Sequence, residues 1–234
     1  MTVTEADLRD PQVAADYDLI YADWDGWADR VERLIEANLP VSPGAPLLDA
    51  ACGTGIVCQA ATQAGFLVTG ADPSPAMIEI ARRRLRPIDV DLRVASLDEL
   101  STAFVQRFDS VIAMGNDLPA LPPEELPGAL NEMRRVCREG GHLLVAIRDF
   151  SRRIPGGIWR DDGVARVSGR FVYDSPGVVG YVLDVEDDRG RRSHRRTLHS
   201  ISPLQLATLI DAAGFRVLRQ SVVAGRAVVA ASAR

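Results

Sequence analysis

Leu47-Leu48-Asp49-Ala50-Ala51-Cys52-Gly53-Thr54-Gly55 is the stretch whose reading decides the fold. Pro46, Leu47 and Leu48 form an apolar strand that runs into a Gly-x-Gly turn, and residues 56–64 after the turn read as a helix, so the segment is a βα unit. The next apolar run, 66–71, ends at Asp72. A doubly wound sheet places an acid there, against a ribose bound at the carboxyl ends of its strands. A pyridine dinucleotide fingerprint needs Gly or Ala at the third position of the loop, and Cys58 stands there instead. Asp49, four residues before Gly53, would repel a diphosphate docked on the helix amino terminus. The crevice therefore suits a cationic nucleoside without phosphates.

Working outward, strands and helices alternate. Strands are predicted at 67–70, 92–95, 110–114 and 142–147, and helices at 75–84 and 124–138, with a short helical piece at 97–104. Five strands joined by helices imply a parallel, doubly wound sheet. Before it, residues 13–39 read as helical, with Tyr17, Tyr21 and Trp24 at helical spacing, until the stretch from Pro40 to Pro46 breaks the pattern. After Arg148 the pattern changes to apolar–polar alternation at 164–173, 178–185 and 193–201 with glycine-containing turns, the mark of antiparallel hairpins. Ser202-Pro203 then opens a helix that Gly214 stops, and two closing strands follow at 216–222 and 227–231. The expected fold is α/β: a doubly wound, mostly parallel seven-stranded sheet with an amino-terminal helical cap and an antiparallel β-hairpin lid inserted after the fifth strand. We expect one domain, 1–234, with the cap at 1–40, the cofactor-binding core at 41–150, the lid at 151–201 and the closing helix and strands at 202–234.

Composition narrows the classes of function. The 234 residues carry a net charge of -5, which argues against general affinity for nucleic acid or an anionic membrane. No stretch approaches the roughly 20 apolar residues that span a bilayer, and the start, Met1-Thr2-Val3-Thr4-Glu5-Ala6-Asp7, is acidic and polar where a signal peptide would be basic and apolar. A cytoplasmic location is expected. Cys52, Cys58 and Cys137 have neither the even count of a disulfide framework nor a metal-ligand spacing, and read as buried thiols; no metal site is expected. Arg82, Arg83, Arg84 and Arg86 end a helix, where cations complement its dipole. The basic run 191–196 faces the acidic run 184–188 across a turn at Arg189-Gly190, so cross-strand pairing accounts for it.

The loop from Asp49 to Gly55 resembles the first motif of the S-adenosylmethionine-dependent methyltransferases of the Rossmann-like class I. That resemblance implies S-adenosyl-L-methionine as cofactor, a glycine loop (Ala51, Gly53, Gly55) against its methionine and adenosine parts, and Asp72 on the two ribose hydroxyls. It also implies Pro73 and Met77 after that acid and Ser96 and Leu97 near the adenine, with Met114 and Asn116 toward the sulfur. Tyr17 and Tyr21 would close over the methionine end, where an aromatic face attracts the ammonium. Asp49 completes the expected cofactor shell.

Strand ends nominate the acceptor side, since ligands of open α/β sheets sit at the carboxyl edge. Met114-Gly115-Asn116-Asp117 ends one strand and Arg148-Asp149-Phe150 the next. A guanidinium there must find an anion: either a substrate carboxylate, held bidentately, or an internal acid among Asp149, Asp117 and Asp161. The stretches 108–116 and 140–149 resemble those of glycine and sarcosine N-methyltransferases, in which the arginine matching Arg148 holds the substrate carboxylate and the asparagine matching Asn116 lies beside the transferring methyl. Asp117-Leu118-Pro119-Ala120 departs from that group's pattern, and its hairpin region aligns poorly. Of the three histidines, His142 falls inside a strand, while His194 and His199 lie five residues apart on a hairpin strand and so on opposite faces. His199 is the candidate base. The expected function is methyl transfer to a small molecule, through the nitrogen of an amine or an amino acid-like metabolite; an O-methyltransferase of a secondary metabolite and a non-catalytic S-adenosylmethionine-binding protein are the alternatives. A homodimer is compatible with all of these.

Overall fold

The continuous apolar runs of the middle of the chain form the central strands, because a strand covered on both faces has no polar side to show. A computed structural model describes residues 4–234; Met1 to Val3, part of the polar amino terminus considered above, lie outside the described residues. In chain order the core runs β2 (Pro46–Asp49), α3 (Ile56–Gln63), β3 (Leu67–Asp72), α4 (Pro75–Arg84), β4 (Asp91–Val94), α5 (Leu100–Ala103), β5 (Phe108–Gly115), α6 (Asp117–Ala120), α7 (Leu126–Val136) and β6 (Cys137–Arg148). It closes with α8 (Pro203–Ala212), β11 (Phe215–Val223) and β12 (Arg226–Ala233). Ahead of the core stand β1 (Thr4–Glu5), α1 (Pro11–Asp18) and α2 (Trp24–Glu36), and between β6 and α8 lie β7 (Gly157–Asp161), β8 (Arg166–Ser175), β9 (Val178–Asp187) and β10 (Gly190–His199).

The seven-stranded sheet has the order β11-β12-β6-β5-β2-β3-β4. Pairings from β6 to β4 are parallel, and β12 runs antiparallel to both neighbours. The chain winds outward from β2 to β4 and returns on the other side at β5. That reversal sets a switch point between the carboxyl ends of β2 and β5. Side-chain alternation divides the core into two layers. Leu48, Val111, Leu143, Val145 and Val229 face the helices α5, α7 and α8, while Leu47, Ile112, Leu144, Ala146 and Val228 face α2 and α3.

Two glycines explain how the first βα turn closes without the third glycine of a dinucleotide loop. Gly55 has φ +96°, and a Cβ there would come within 2.8 Å of Leu85, so the start of α3 can lie close to the end of α4 only without a side chain. Gly70, on β3, would place a Cβ 2.8 Å from the Cys58 sulfur. The space that the dinucleotide motif makes with its third glycine is made here on the neighbouring strand, and Cys58 fills it.

The amino-terminal region differs from the single helix expected over 13–39. Asp10 caps α1, accepting from the Gln12 amide at 2.7 Å, and Asp23 opens α2 by accepting from the Gly26 amide at 3.2 Å. A Cβ at residue 26 would lie 2.2 Å from the Asp23 carboxylate, so Gly26 is what permits the second cap. The apolar period carries across the break, but the cap ends the helix. The region 1–40 also carries a strand, β1, which pairs in parallel with β10.

The hairpin lid is a five-stranded sheet, β1-β10-β9-β8-β7, to which β1 and β7 add edges that apolar alternation did not mark. Its inner face buries Val167, Tyr181, Leu183, Val185 and Leu198 around Phe150. Tyr17, Leu19 and Ile20 from the α1 end pack into the same cluster. The basic run on β10 pairs only partly as expected: Arg192 meets Asp187 at 2.8 Å, but also reaches Asp16 on α1, while Arg195 meets Asp174 and Arg196 meets Asp117 at 3.2 Å. No helix is long and apolar enough to cross a membrane among the described residues.

Candidate active site

Over the switch point lies a cavity of about 1050 Å³, measured out to its open mouth. Its floor is the glycine loop, with Ala51, Cys52, Gly53 and Thr54; its roof is the α1 end and the lid, with Tyr17, Tyr21, Trp159 and Tyr181.

Asp72 lies at the edge of the floor and is 7% exposed. One carboxylate oxygen accepts from the Gly53 amide and the other from the Ser74 amide, both at 2.9 Å, which fixes the loop to the end of β3 and leaves a second lone pair on each oxygen. Burial, with the nearby charge of Asp117, raises its pKa to about 6. Asp49 is buried beneath the loop and does not line the cavity. The Cys58 thiol donates to one of its oxygens at 3.4 Å, the other has no partner, and burial raises its pKa to about 7. The Cys58 thiol itself is held well above its ordinary value by its contact with Cys52 and by burial, so it stays protonated. All three cysteines are buried and free, as expected.

Among the described residues seven buried side-chain polar atoms have no hydrogen-bond partner, and three of them, the Tyr17 hydroxyl, Thr54 Oγ1 and Asn116 Oδ1, belong to residues of the cavity wall. Such atoms cost about 1–3 kcal/mol each when unsatisfied, so their convergence on one space fits a polar ligand. At Gly53, φ +53°, a Cβ would meet nothing within 4 Å, which leaves the loop's inner surface open to a close approach. The donor and acceptor set fits an adenosyl cofactor: a carboxylate for ribose hydroxyls, a bare glycine surface and aromatic rings above.

Of the sequence-predicted residues, the structure brings Tyr17, Tyr21, Ala51, Gly53, Asp72, Met77, Met114, Asn116 and Arg148 to the cavity wall. Gly55 shapes the loop from behind as the left-handed cap of α3. Pro73, Ser96 and Leu97 are not on the wall. Ser96 bonds Asp98 and Glu99 at the end of β4, and Leu97 is buried in the core. His199 is also off the wall. It has the opposite parity on β10 to Arg196, which does reach the cavity, so the pleat turns it to the other face. His194 shares the Arg196 face, but its Nε2 lies 2.7 Å from buried Asp16.

Arg148 forms no ion pair or hydrogen bond through its side chain among the described residues. The three acids that could have neutralised it are engaged elsewhere: Asp117 with Arg196 at 3.2 Å, Asp161 with Arg166 at 3.8 Å, and Asp149 with the Ser151 amide at 3.0 Å. Its guanidinium stacks over Phe171 at 5.2 Å. Sequence reasoning missed Thr54, Trp159, Tyr181, Arg196 and Arg226 on the wall. The lid residues carry no motif, and Arg226 opens an alanine- and valine-rich strand whose register only the sheet reveals.

Residues 47–141 match the family model of the methyltransferase domain. The sheet order and the loop agree with that match: residues 47–141 carry a methyltransferase domain on the class I, Rossmann-like fold. Among curated proteins the chain is similar to a glycine/sarcosine N-methyltransferase of Parasynechococcus marenigrum, 32% identical over 56% of this chain and 52% of that one. It is also similar to a demethylmenaquinone methyltransferase of Renibacterium salmoninarum, 32% identical over 62% of each, and to a ubiquinone biosynthesis O-methyltransferase of Methylocella silvestris, 37% identical over 36% of this chain and 34% of that one. The chain thus spans between about a third and three fifths of these relatives. Its fold matches DesVI of Streptomyces venezuelae with TM-score 0.74 at 23% identity, covering 94% of this chain and 98% of that one. The SAM-bound amino pentose methyltransferase CalS10 of Micromonospora echinaspora matches with TM-score 0.70 at 24% identity, covering 94% and 95%.

The raised pKa values of Asp49 and Asp72 predict how cofactor binding follows pH. Both acids are partly protonated in the free protein at pH 6, and a sulfonium with an ammonium group favours their charged forms. Affinity for S-adenosylmethionine should therefore rise by about tenfold from pH 5.5 to 7.5, one pKa unit being worth about 1.4 kcal/mol, and level off above pH 8. Calorimetry across that range checks it, and Asp49→Asn should flatten part of the slope. An affinity that falls with pH would contradict the assignment.

Proposed function

We propose that this chain moves a methyl group from S-adenosylmethionine to a small-molecule acceptor, with an amine nitrogen as the favoured nucleophile and the cap, core, lid and closing strands working as one unit. The observation that carries the reading is the single cavity that joins the Asp72 and glycine-loop floor to Asn116 and the unpaired Arg148. The bound cofactor supplies an activated methyl group on a positively charged sulfur. The protein's work is then mostly orientation and exclusion of water. Asp72 accepts from the ribose hydroxyls with the lone pairs its backbone contacts leave free. Tyr17 and Tyr21 cover the methionine end, and Tyr21 is held there edge-on by Trp24 and Trp27, with ring centroids 5.8 and 5.9 Å away. Asn116, its Oδ1 unpartnered, orients the acceptor beside the methyl group, and Arg148 anchors a carboxylate on it.

No histidine lines the cavity among the described residues. The wall's carboxylates are already engaged, Asp72 by the Gly53 and Ser74 amides and Asp117 by Arg196, which favours nitrogen over oxygen, because a neutral amine can lose its proton to solvent after attack, whereas a hydroxyl needs a positioned base. The O-methyl reading draws its support from the O-methyltransferases among the relatives. A panel of acceptors carrying only an amine or only a hydroxyl, with S-adenosylhomocysteine release as the readout, separates the readings. Turnover with amines alone is the expected result. Turnover confined to hydroxyls would transfer the assignment to oxygen, and tight cofactor binding with no turnover on any acceptor would leave a binding protein.

A further inference from the structure

Arg148 has a neighbour that no motif announced. In the antiparallel ladder of β12 and β6, Arg226 stands directly opposite Arg148. Residues paired in this way project to the same face with Cβ atoms about 5 Å apart, and like charges so placed destabilise a sheet. Both side chains line the cavity. Neither makes a side-chain hydrogen bond or ion pair among the described residues, and Arg148 stacks over the Phe171 ring. The third cavity arginine, Arg196, is already matched by Asp117. Facing the pair from the other elements are the hydroxyls of Tyr21 and Tyr181, which burial keeps protonated. Two cations thus stand side by side on the cavity wall with no acid paired to either among the described residues.

We propose that Arg148 and Arg226 form a two-guanidinium subsite for an oxyanion on the acceptor, a carboxylate or a phosphoryl group. This rests on the methyltransferase reading and narrows its substrate class to acidic molecules. Two planar forks facing one space can each give two N–H donors, which suits a group presenting two or three oxygens. The stacking of Arg148 on Phe171 sets its plane before the ligand arrives, and the lid thereby helps to aim it. Burial and the charge of Arg148 lower the Arg226 pKa to about 10, which leaves it charged at neutral pH and records the repulsion that an anion would relieve.

The test needs no knowledge of the acceptor. Thermal unfolding of the wild type, Arg226→Met and Arg148→Met is followed without addition and with malonate, inorganic phosphate or pyrophosphate, all at matched ionic strength. In the wild type the best anion, at about 100 times its dissociation constant, should raise Tm by about 5 °C. Each single variant should lose most of that rise, and Arg226→Met should match or exceed the wild type in Tm without anion, since it removes a like-charge neighbour. A purely structural arginine would instead lower Tm and leave the anion response intact, which would overturn the proposal, as would a wild type that responds to none of the three. Response to malonate alone marks a carboxylate acceptor, and response to the phosphates marks a phosphoryl one; either supports the subsite. Titration with S-adenosylhomocysteine runs beside these measurements, and heat there with no anion response would leave the methyltransferase reading standing while removing this one.

Discussion

Asp72→Ala should weaken binding of S-adenosylhomocysteine by about 100-fold or more. The Asp72 carboxylate accepts from the Gly53 and Ser74 amides at 2.9 Å each and is 7% exposed, so its removal strands two loop donors as well as the proposed ribose contacts. Hydrogen bonds to a charged group contribute about 1.5–3 kcal/mol each, and the loss of two comes to about 3 kcal/mol, or two powers of ten in affinity. Calorimetric titration of the variant measures this directly. A loss under threefold would mean that the acid only shapes the loop and does not touch the ligand. Asp72→Asn keeps one acceptor oxygen but turns a donating NH2 toward either the Gly53 or the Ser74 amide, so it should also bind more weakly than the wild type.

Arg192→Met should lower stability by about 3 kcal/mol and loosen the roof of the cavity. Asp16 on α1 is fully buried, and Arg192 on β10 donates to both its oxygens at 2.8 and 2.9 Å, with His194 at 2.7 Å. Burial alone would raise the Asp16 pKa, but the bonds from His194 and Arg192 outweigh it and hold it at about 2. Breaking a buried pair costs about 3–5 kcal/mol, and the loss here falls at the lower end because Asp16 keeps His194 at 2.7 Å and Arg189 at 3.6 Å. Urea unfolding at pH 7 gives the number, and a change within 0.5 kcal/mol would show the network to be dispensable. Because the depressed acid contributes above its unfolded pKa near 4, wild-type stability should fall as pH drops from about 4 to 2, and the variant should show less of that fall. Tyr17 lies one residue after Asp16, so loosening α1 should also weaken cofactor binding.

Much of the cofactor side was legible in the residues, since it depends on local rules. A strand, a positive-φ glycine turn, a helix and an acid at the next strand end are neighbours in sequence, and the loop from Asp49 to Asp72 folded as those rules require. Pro75 to Arg84 and the Ser202 cap were equally local: Ser202 and Gln205 form a reciprocal cap at the start of α8. The break between α1 and α2 was missed because apolar period outlasts a helix end when the following helix buries the same side, and only the Asp23 cap shows the stop. The two edge strands of the lid were missed because β1 has two residues and β7 five, too few for alternation to register.

The acceptor side was less legible. His199 was favoured over His194 with the correct argument that only one could face inward, but strand parity relative to the cavity depends on how the lid sheet lies on the core, and that placed Arg196 inward and His199 outward. Arg148 could be nominated from a strand end, yet whether an internal acid neutralised it was open until Asp117, Asp149 and Asp161 were found with other partners. Arg226 was invisible, 78 residues further on.

By itself the amino-acid sequence determined the layers, the switch point, the glycine loop and a preference for a cationic nucleoside, because periodicity, turn geometry and charge next to a loop act over a few residues. Only the tertiary structure decided which cations remain unpaired, which face of the lid looks inward and which arginines stand opposite one another, because β-ladder register and side-chain pairing join residues that the chain keeps far apart.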